Sequence, residues 1–367
     1  MPSLPFPAFS RRQLLTAVGA AGCVALTRPA LSAVPRRGIP LGFDNFAVRA
    51  CGWNARQLVD HAVTLGCDSV FITDFGPLEG RFDDASLREL KAYGEDRAVA
   101  IELGSWSICP TAKRFKADWG TAEEHLALGI RMAKALGGRA FRVILGGRED
   151  RTSAGGIAAR IDDTVAVLKK VRSRAIDSGI TIAVENHAGD MRSEELAGLV
   201  EAAGSDFVGV NFDSGNACWA LEDPVAALER LAPFIATTSL RDSMVWESPK
   251  GVTIQWTAMG EGCVDLPAFF DLFAAKCPGV TVNIETISGF AREFPLFDQT
   301  FWREYPDVAG PDLARFWALA RRGQPLEPFT VPQGSDRKAA ERHYQLAEVE
   351  RSIRFCRDEL GLGIRSS

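Results

Sequence analysis

Four acids stand where apolar runs end. Glu185 follows Ile180–Val184, Asp213 follows Val208–Phe212, and Glu285 follows Val280–Ile284; Asp242 comes just past Ile235–Leu240. A single acid after a strand is most often the cap of the next helix. Four in succession, three of them continuing their apolar run without a break, ask for more. Carboxylates gathered in a partly desolvated place repel one another, and they are tolerated when they share a cation or trap a proton. Oxygen donors of this kind favour a hard divalent ion, magnesium or manganese. His187 lies one strand period beyond Glu185 and points to the same side, where it reads either as a proton carrier or as a satisfied rim histidine.

The elements that must position these acids recur along the chain. Short apolar runs begin near Gly38, Asp68, Arg97, Arg139, Ile180, Asp206, Phe234 and Val280, and amphipathic segments separate them where the pattern is clearest. Thr121 with Glu124 forms a capping box, Ser193 opens a helix, and Asp223-Pro224 is a cap followed by proline in the first turn. Gly66, Gly179 and Gly204 stand where helices must stop. Continuous apolar strands alternating with helices mean a parallel sheet covered on both faces. Eight units make an α/β fold of the (β/α)8 TIM-barrel class, with an open doubly wound sheet as the alternative. The barrel is expected over residues 38–290, with an insertion at Ser243–Gly262 that turns at Pro249-Lys250-Gly251. A C-terminal helical extension, 291–367, follows and packs on the barrel. In such a barrel all four acids reach the rim at the strands' C-terminal ends.

Composition narrows the partners. The chain of 367 residues is 46% hydrophobic with a net charge of −5, and no basic tract lies beyond its beginning, which excludes nucleic acid as a natural ligand. Residues 1–33 read as a twin-arginine signal peptide: Arg11 and Arg12 precede an apolar stretch, and small residues surround Ala33. A periplasmic or otherwise exported protein is therefore expected, with no membrane segment once the signal is removed. Seven of the eight cysteines lie beyond the signal, without paired spacing, and they are expected to be buried and unpaired.

The sequences Glu185-Asn186-His187, Asp213-Ser214-Gly215-Asn216, Ser239-Leu240-Arg241-Asp242, Gly260–Asp265 and Ile284-Glu285 resemble the xylose isomerase-like TIM-barrel superfamily, and within it the sugar isomerase/epimerase branch. The resemblance covers roughly 38–289. It implies one divalent ion, manganese or magnesium, held by a glutamate, an aspartate, a histidine and a glutamate. Glu185, Asp213 and Glu285 occupy three of those places; Ser239 stands at the histidine's place, and His187 or Gln255 is an alternative fourth ligand. It further implies Glu185 and Glu285 as base and acid on opposite faces of a sugar, with His187 able to move a proton. Asn216, Arg241, Asn186, Trp53 and Gln255 are the expected substrate contacts. Export disfavours a phosphorylated substrate, so an unphosphorylated sugar or keto-sugar is expected. The alternatives are a lyase acting on a 3-keto-glycoside or keto-polyol, and a sugar-binding protein without turnover; a homo-oligomer remains open.

Overall fold

The computed structural model describes residues 34–365, so the expected export signal lies outside the described residues. Eleven strands are described: β1 (Leu41–Asp44), β2 (Ser69–Ile72), β3 (Ala100–Ser107), β4 (Ala140–Ile144), β5 (Thr181–Glu185), β6 (Val208–Phe212), β7 (Ile235–Thr238), β8 (Asp242–Ser248), β9 (Gly251–Thr257), β10 (Val282–Ile284) and β11 (Ala291–Phe294). Eight of them form one parallel sheet in the order β10-β1-β2-β3-β4-β5-β6-β7. The ring closes between the last two through Leu240 and Ile284, where Leu240 N donates to Asn283 O at 2.7 Å and Glu285 N to Leu240 O at 2.8 Å. This is the expected TIM barrel with a helical C-terminal part.

The two faces of each strand take different residues, because side chains alternate along a strand. Outward positions such as Phe43, Val70, Leu103, Phe141, Val184 and Ile284 join the main apolar core against the helices. The alternate positions point into the barrel and are small or polar. Gly42 and Asp44, Ala183 and Glu185, Gly209 and Asn211, and Asn283 and Glu285 follow this rule. Near the bottom, Thr237 Oγ1 donates to Glu102 Oε2 at 2.6 Å and Ser69 Oγ to Asn283 Oδ1 at 3.0 Å. A Cβ at Gly104 would lie only 3.0 Å from the Cβ and Cδ of Arg142, so that glycine makes room for an arginine inside the barrel.

Local signals place the helices. Thr121 and Glu124 form the expected box at the start of Ala122–Ala135, and Asp223 accepts from Val225 N and Ala226 N. Gly66 and Gly179 take the left-handed conformation at helix ends, with φ of 65° and 66°. All seven cysteines among the described residues are free.

Strand seven departs from expectation. The regular strand ends at Thr238 and its pairing runs on only as far as Leu240; Arg241 N then turns to Ser214 Oγ (3.0 Å) instead of a neighbouring strand. The expected insertion is the antiparallel hairpin β8–β9, and β11 adds to β9. A second apolar cluster lies under this small sheet, with Val245, Ile254, Trp256, Phe294, Phe316 and Leu319. The last helix, Arg337–Asp358, instead buries Val349, Ile353 and Cys356 in the main core. Among the described residues no helix is long and apolar enough to cross a membrane.

One buried histidine predicts a pH dependence. His125 is 1% exposed, with Nε2 at 2.7 Å from Ser105 Oγ and Nδ1 unpartnered. Burial pushes it down from 6.5 to about 4. Between those values the unfolded chain binds the proton that the folded chain refuses. The stabilisation is therefore full above about 6.5 and is lost as pH falls through about 4, in total on the order of 3 kcal/mol. Urea unfolding measured across that window should weaken with acid, and His125→Gln should flatten the decline; equal slopes in both proteins would refute it.

Candidate active site

The C-terminal mouth of the barrel gathers inward residues at or just past the ends of five strands, β1, β4, β5, β6 and β10, with the segment after β7. Glu185, at the end of β5, accepts from Arg142 Nε at 2.5 Å and from Asn211 Nδ2 at 2.9 Å on Oε2. Its Oε1 accepts from Asn216 Nδ2 at 3.2 Å. Asp213 caps the helix Ser214–Trp219, accepting from Asn216 N at 2.9 Å, while its Oδ2 accepts from Asn216 Nδ2 at 2.6 Å. Arg241 Nη2 donates both to Asp213 Oδ2 and to Glu285 Oε2. Ser239 Oγ accepts from Asn211 Nδ2 at 3.2 Å and donates to Asp44 Oδ2 at 3.3 Å. Glu185, Asp213 and Glu285 are 1%, 0% and 5% exposed, so three residues far apart in the chain share one desolvated network.

The remaining expected residues fall in different places. Asp242 does not face this network; it accepts from Ser243 N at 2.7 Å, Gly260 N at 3.2 Å and Gly262 N at 2.9 Å, and so ties down a loop. Asn186 clasps the backbone of Asp213, accepting from its N at 2.9 Å and donating to its O at 2.8 Å. His187 is half-buried beside Trp106, with Nδ1 at 2.6 Å from Gly146 O. A carbonyl only accepts, so Nδ1 carries the proton and Nε2 keeps a lone pair. Burial, opposed by the charge of Glu185, takes this imidazole down to about 4. Trp53 packs on His61 with ring centroids 4.8 Å apart, in a cavity it shares with Asn45, Arg49 and Asp74. Gln255 lies on β9 beside Trp256 and on the opposite face of that strand, with Oε1 unpartnered.

Three members of the network are not among the expected residues: Asp44, Arg142 and Asn211. Asp44 ends the apolar run of β1 just as Glu185 ends β5, whereas Arg142 and Asn211 are inward polar residues within apolar strands, and that alternation is the signal that finds them.

Electrostatics pushes the carboxyls apart. Burial raises Glu185, but the positive charges and hydrogen bonds around it, those of Arg142 first and the charge of Arg241 with them, together hold the carboxyl below its ordinary range. Burial raises Glu285 against the pull of Arg241. Burial also lifts Asp213 well above the usual carboxylate range despite Arg241, and burial together with Glu285 does the same to Asp44. One carboxylate is thus held ionised beside others that retain a proton readily, the pattern of an acid/base pair.

The expected ligand quartet Glu185, Asp213, Ser239 and Glu285 does meet, but not in a form that suits a divalent ion. Among the described residues no three His, Cys, Asp or Glu side chains form a group able to hold one. The reason is local. One guanidinium nitrogen bridges Asp213 and Glu285, Glu185 is turned to Arg142, and the Ser239 hydroxyl is engaged between Asn211 and Asp44. This donor set accommodates cationic side chains, and the expected manganese or magnesium does not fit it as arranged.

Known proteins resemble this chain in sequence or in fold. YihM, an uncharacterized protein of Escherichia coli K12, is 33% identical over 137 residues, 37% of this chain but only 41% of YihM. The 3-oxo-isoapionate decarboxylase of Pectobacterium atrosepticum is 22% identical over 213 residues, 58% of this chain and 70% of that enzyme. Among solved structures, D-psicose 3-epimerase in the presence of D-fructose matches with a TM-score of 0.56 at 13% identity, over 88% of this chain and all of the epimerase. IolI with a bound zinc atom matches at 0.53 and 15%, over 77% of this chain and 96% of IolI. At these identities the structural likeness speaks for the fold. Residues 59–293, well over half of the chain, match the family described as xylose isomerase-like TIM barrel, and the protein belongs to that family.

Proposed function

We propose that the protein is an isomerase or epimerase of an unphosphorylated sugar or keto-sugar, exported by the twin-arginine route to the periplasm. The observation that carries this reading is the convergence of Glu185, Asp213 and Glu285 with two guanidinium groups in one buried network at the barrel mouth. Sugar epimerases among the structural neighbours support it.

Glu285 or Glu185 takes a proton from the carbon next to the substrate carbonyl. The C–H pair becomes the C=C bond of an enediolate, and the carbonyl π pair moves onto oxygen. The other carboxyl returns a proton on the opposite face or at the neighbouring carbon. Such positioned proton transfer contributes about 10²–10⁴-fold. Asn216 Oδ1 and the Nε and Nη1 of Arg241 are buried without partners, and they are the groups left for substrate hydroxyl and carbonyl oxygens. No step runs through manganese or magnesium.

A lyase is the second reading, favoured by the similarity to a decarboxylase. The same enediolate arises or collapses when a leaving group departs, as with a 3-keto-glycoside or keto-polyol. Incubation with free ketoses and 3-keto-glucosides in heavy water separates the readings by NMR. An epimerase exchanges the α-proton and releases nothing, whereas a lyase releases aglycone, water or carbon dioxide. Binding without exchange or release would leave a sugar-binding protein and overturn the proposal.

A further inference from the structure

We propose that Arg241 is a built-in replacement for a divalent ion, so that this barrel performs its chemistry without a metal. The inference rests on the enzymatic reading above, and it names which group carries the positive charge.

The arginine is held from every side. A Cβ at Gly215 would come within 2.6 Å of Arg241 Cγ and Cδ, so only glycine lets the stem pass. The guanidinium carbon lies 4.3 Å from the centre of the Trp256 ring, and Trp256 Nε1 donates to Gly215 O at 2.9 Å. Ser214 Oγ fixes the backbone on both sides, accepting from Arg241 N at 3.0 Å and donating to Arg241 O at 2.5 Å. The Arg241 side chain is 1% exposed. Stem, plane, backbone and head group are each located by a different neighbour, which a solvent-swept surface arginine never shows.

The head group then sits where a shared cation is needed. Its Nη2 bridges Asp213 and Glu285, which approach the mouth from β6 and β10. Histidine, the ligand that would complete a mixed nitrogen–oxygen shell, is replaced by Ser239, whose hydroxyl is already engaged on both sides. Ser239 and Arg241 lie two residues apart on one segment, so the uncharged hydroxyl and the cation are presented to the same cluster of carboxylates together. A guanidinium stays charged at any working pH, and it offers directed N–H donors where an ion offers open coordination sites. The unpartnered Nε and Nη1 would meet the substrate carbonyl oxygen and hold the charge that develops there.

The test uses the full mature protein and metals alone as probes. Elemental analysis of wild type should find far less than one equivalent of manganese, magnesium, zinc or iron. Calorimetric titration with manganese should give no binding heat, and EDTA should leave the unfolding midpoint unchanged. Opening the site by Ser239→His with Arg241→Ala should create manganese binding visible by calorimetry and by the manganese EPR signal. Arg241→Lys, which keeps charge but loses the planar fork, should lower α-proton exchange by about 10²–10³-fold without acquiring a metal. A stoichiometric metal in wild type, or an unfolding midpoint that falls with EDTA, overturns the inference even if every variant fails to fold. Because these readouts need no substrate, a wild type that is free of metal yet inactive on all ketoses would count against the proposed reaction alone.

Discussion

Glu285→Gln is expected to slow α-proton exchange by roughly 10³-fold while the barrel stays folded. Glutamine has nearly the same shape, and Arg241 keeps its bond to Asp213, so no cation is left stranded. The amide can neither give a proton to carbon nor take one from it, so the half of the exchange that Glu285 serves is lost outright. Ketose affinity should change only a few-fold, since the carboxyl acts on the reacting bond more than on the bound sugar. Kinetically, kcat should collapse with KM nearly constant, the signature of a group used in the transition state. Exchange reduced less than tenfold would assign proton transfer to another carboxyl, Glu185 first. Affinity and exchange that both survive would point to a binding protein instead.

Much of the fold was legible because a strand buried on both faces reads as an unbroken apolar run. Thr181–Val184 and Val208–Phe212 needed no tertiary information, and the acids that follow them stand at the mouth as their position requires. Asp242 looked like a fourth member of the set and is not one. Its partners Gly260 and Gly262 return from 18 and 20 residues away, after a hairpin whose path no local pattern fixes. Arg142 was hidden for the opposite reason. One charged residue among Ala140, Phe141, Val143 and Ile144 passes as noise until the barrel closes and gives every second position an interior to face. β11 is also invisible locally: Ala291–Phe294 becomes a strand by adding to β9. The same holds for Arg241, whose bed is assembled from Gly215 on one segment and Trp256 on another. Sequence thus exposed the residues that end strands, while the charges that neutralise them depended on register.

Arg142→Met should have the largest effect on stability. The guanidinium lies inside the barrel at 4% exposure, where Nε donates to Glu185 and Nη1 donates to Ser105 O at 2.8 Å, linking β3, β4 and β5. Methionine fills part of the volume but leaves the Glu185 carboxylate without its neighbouring cation and the Ser105 carbonyl without its donor. Stranding one member of a buried pair costs about 3–5 kcal/mol, and for a domain of this size the unfolding midpoint should fall by roughly 10 °C. The double variant Arg142→Met/Glu185→Gln removes the stranded charge and should recover much of that loss, giving a large coupling energy in a double-mutant cycle. The single variant also carries a functional consequence with a definite sign. Without Arg142, burial is no longer outweighed at Glu185, its proton affinity rises, and the acid limb of the pH–rate profile should move to higher pH. A single variant as stable as wild type, or a double variant no better than the single, would mean that Glu185 is neutralised by some other group and that Arg142 is not the cation on which its ionised state depends.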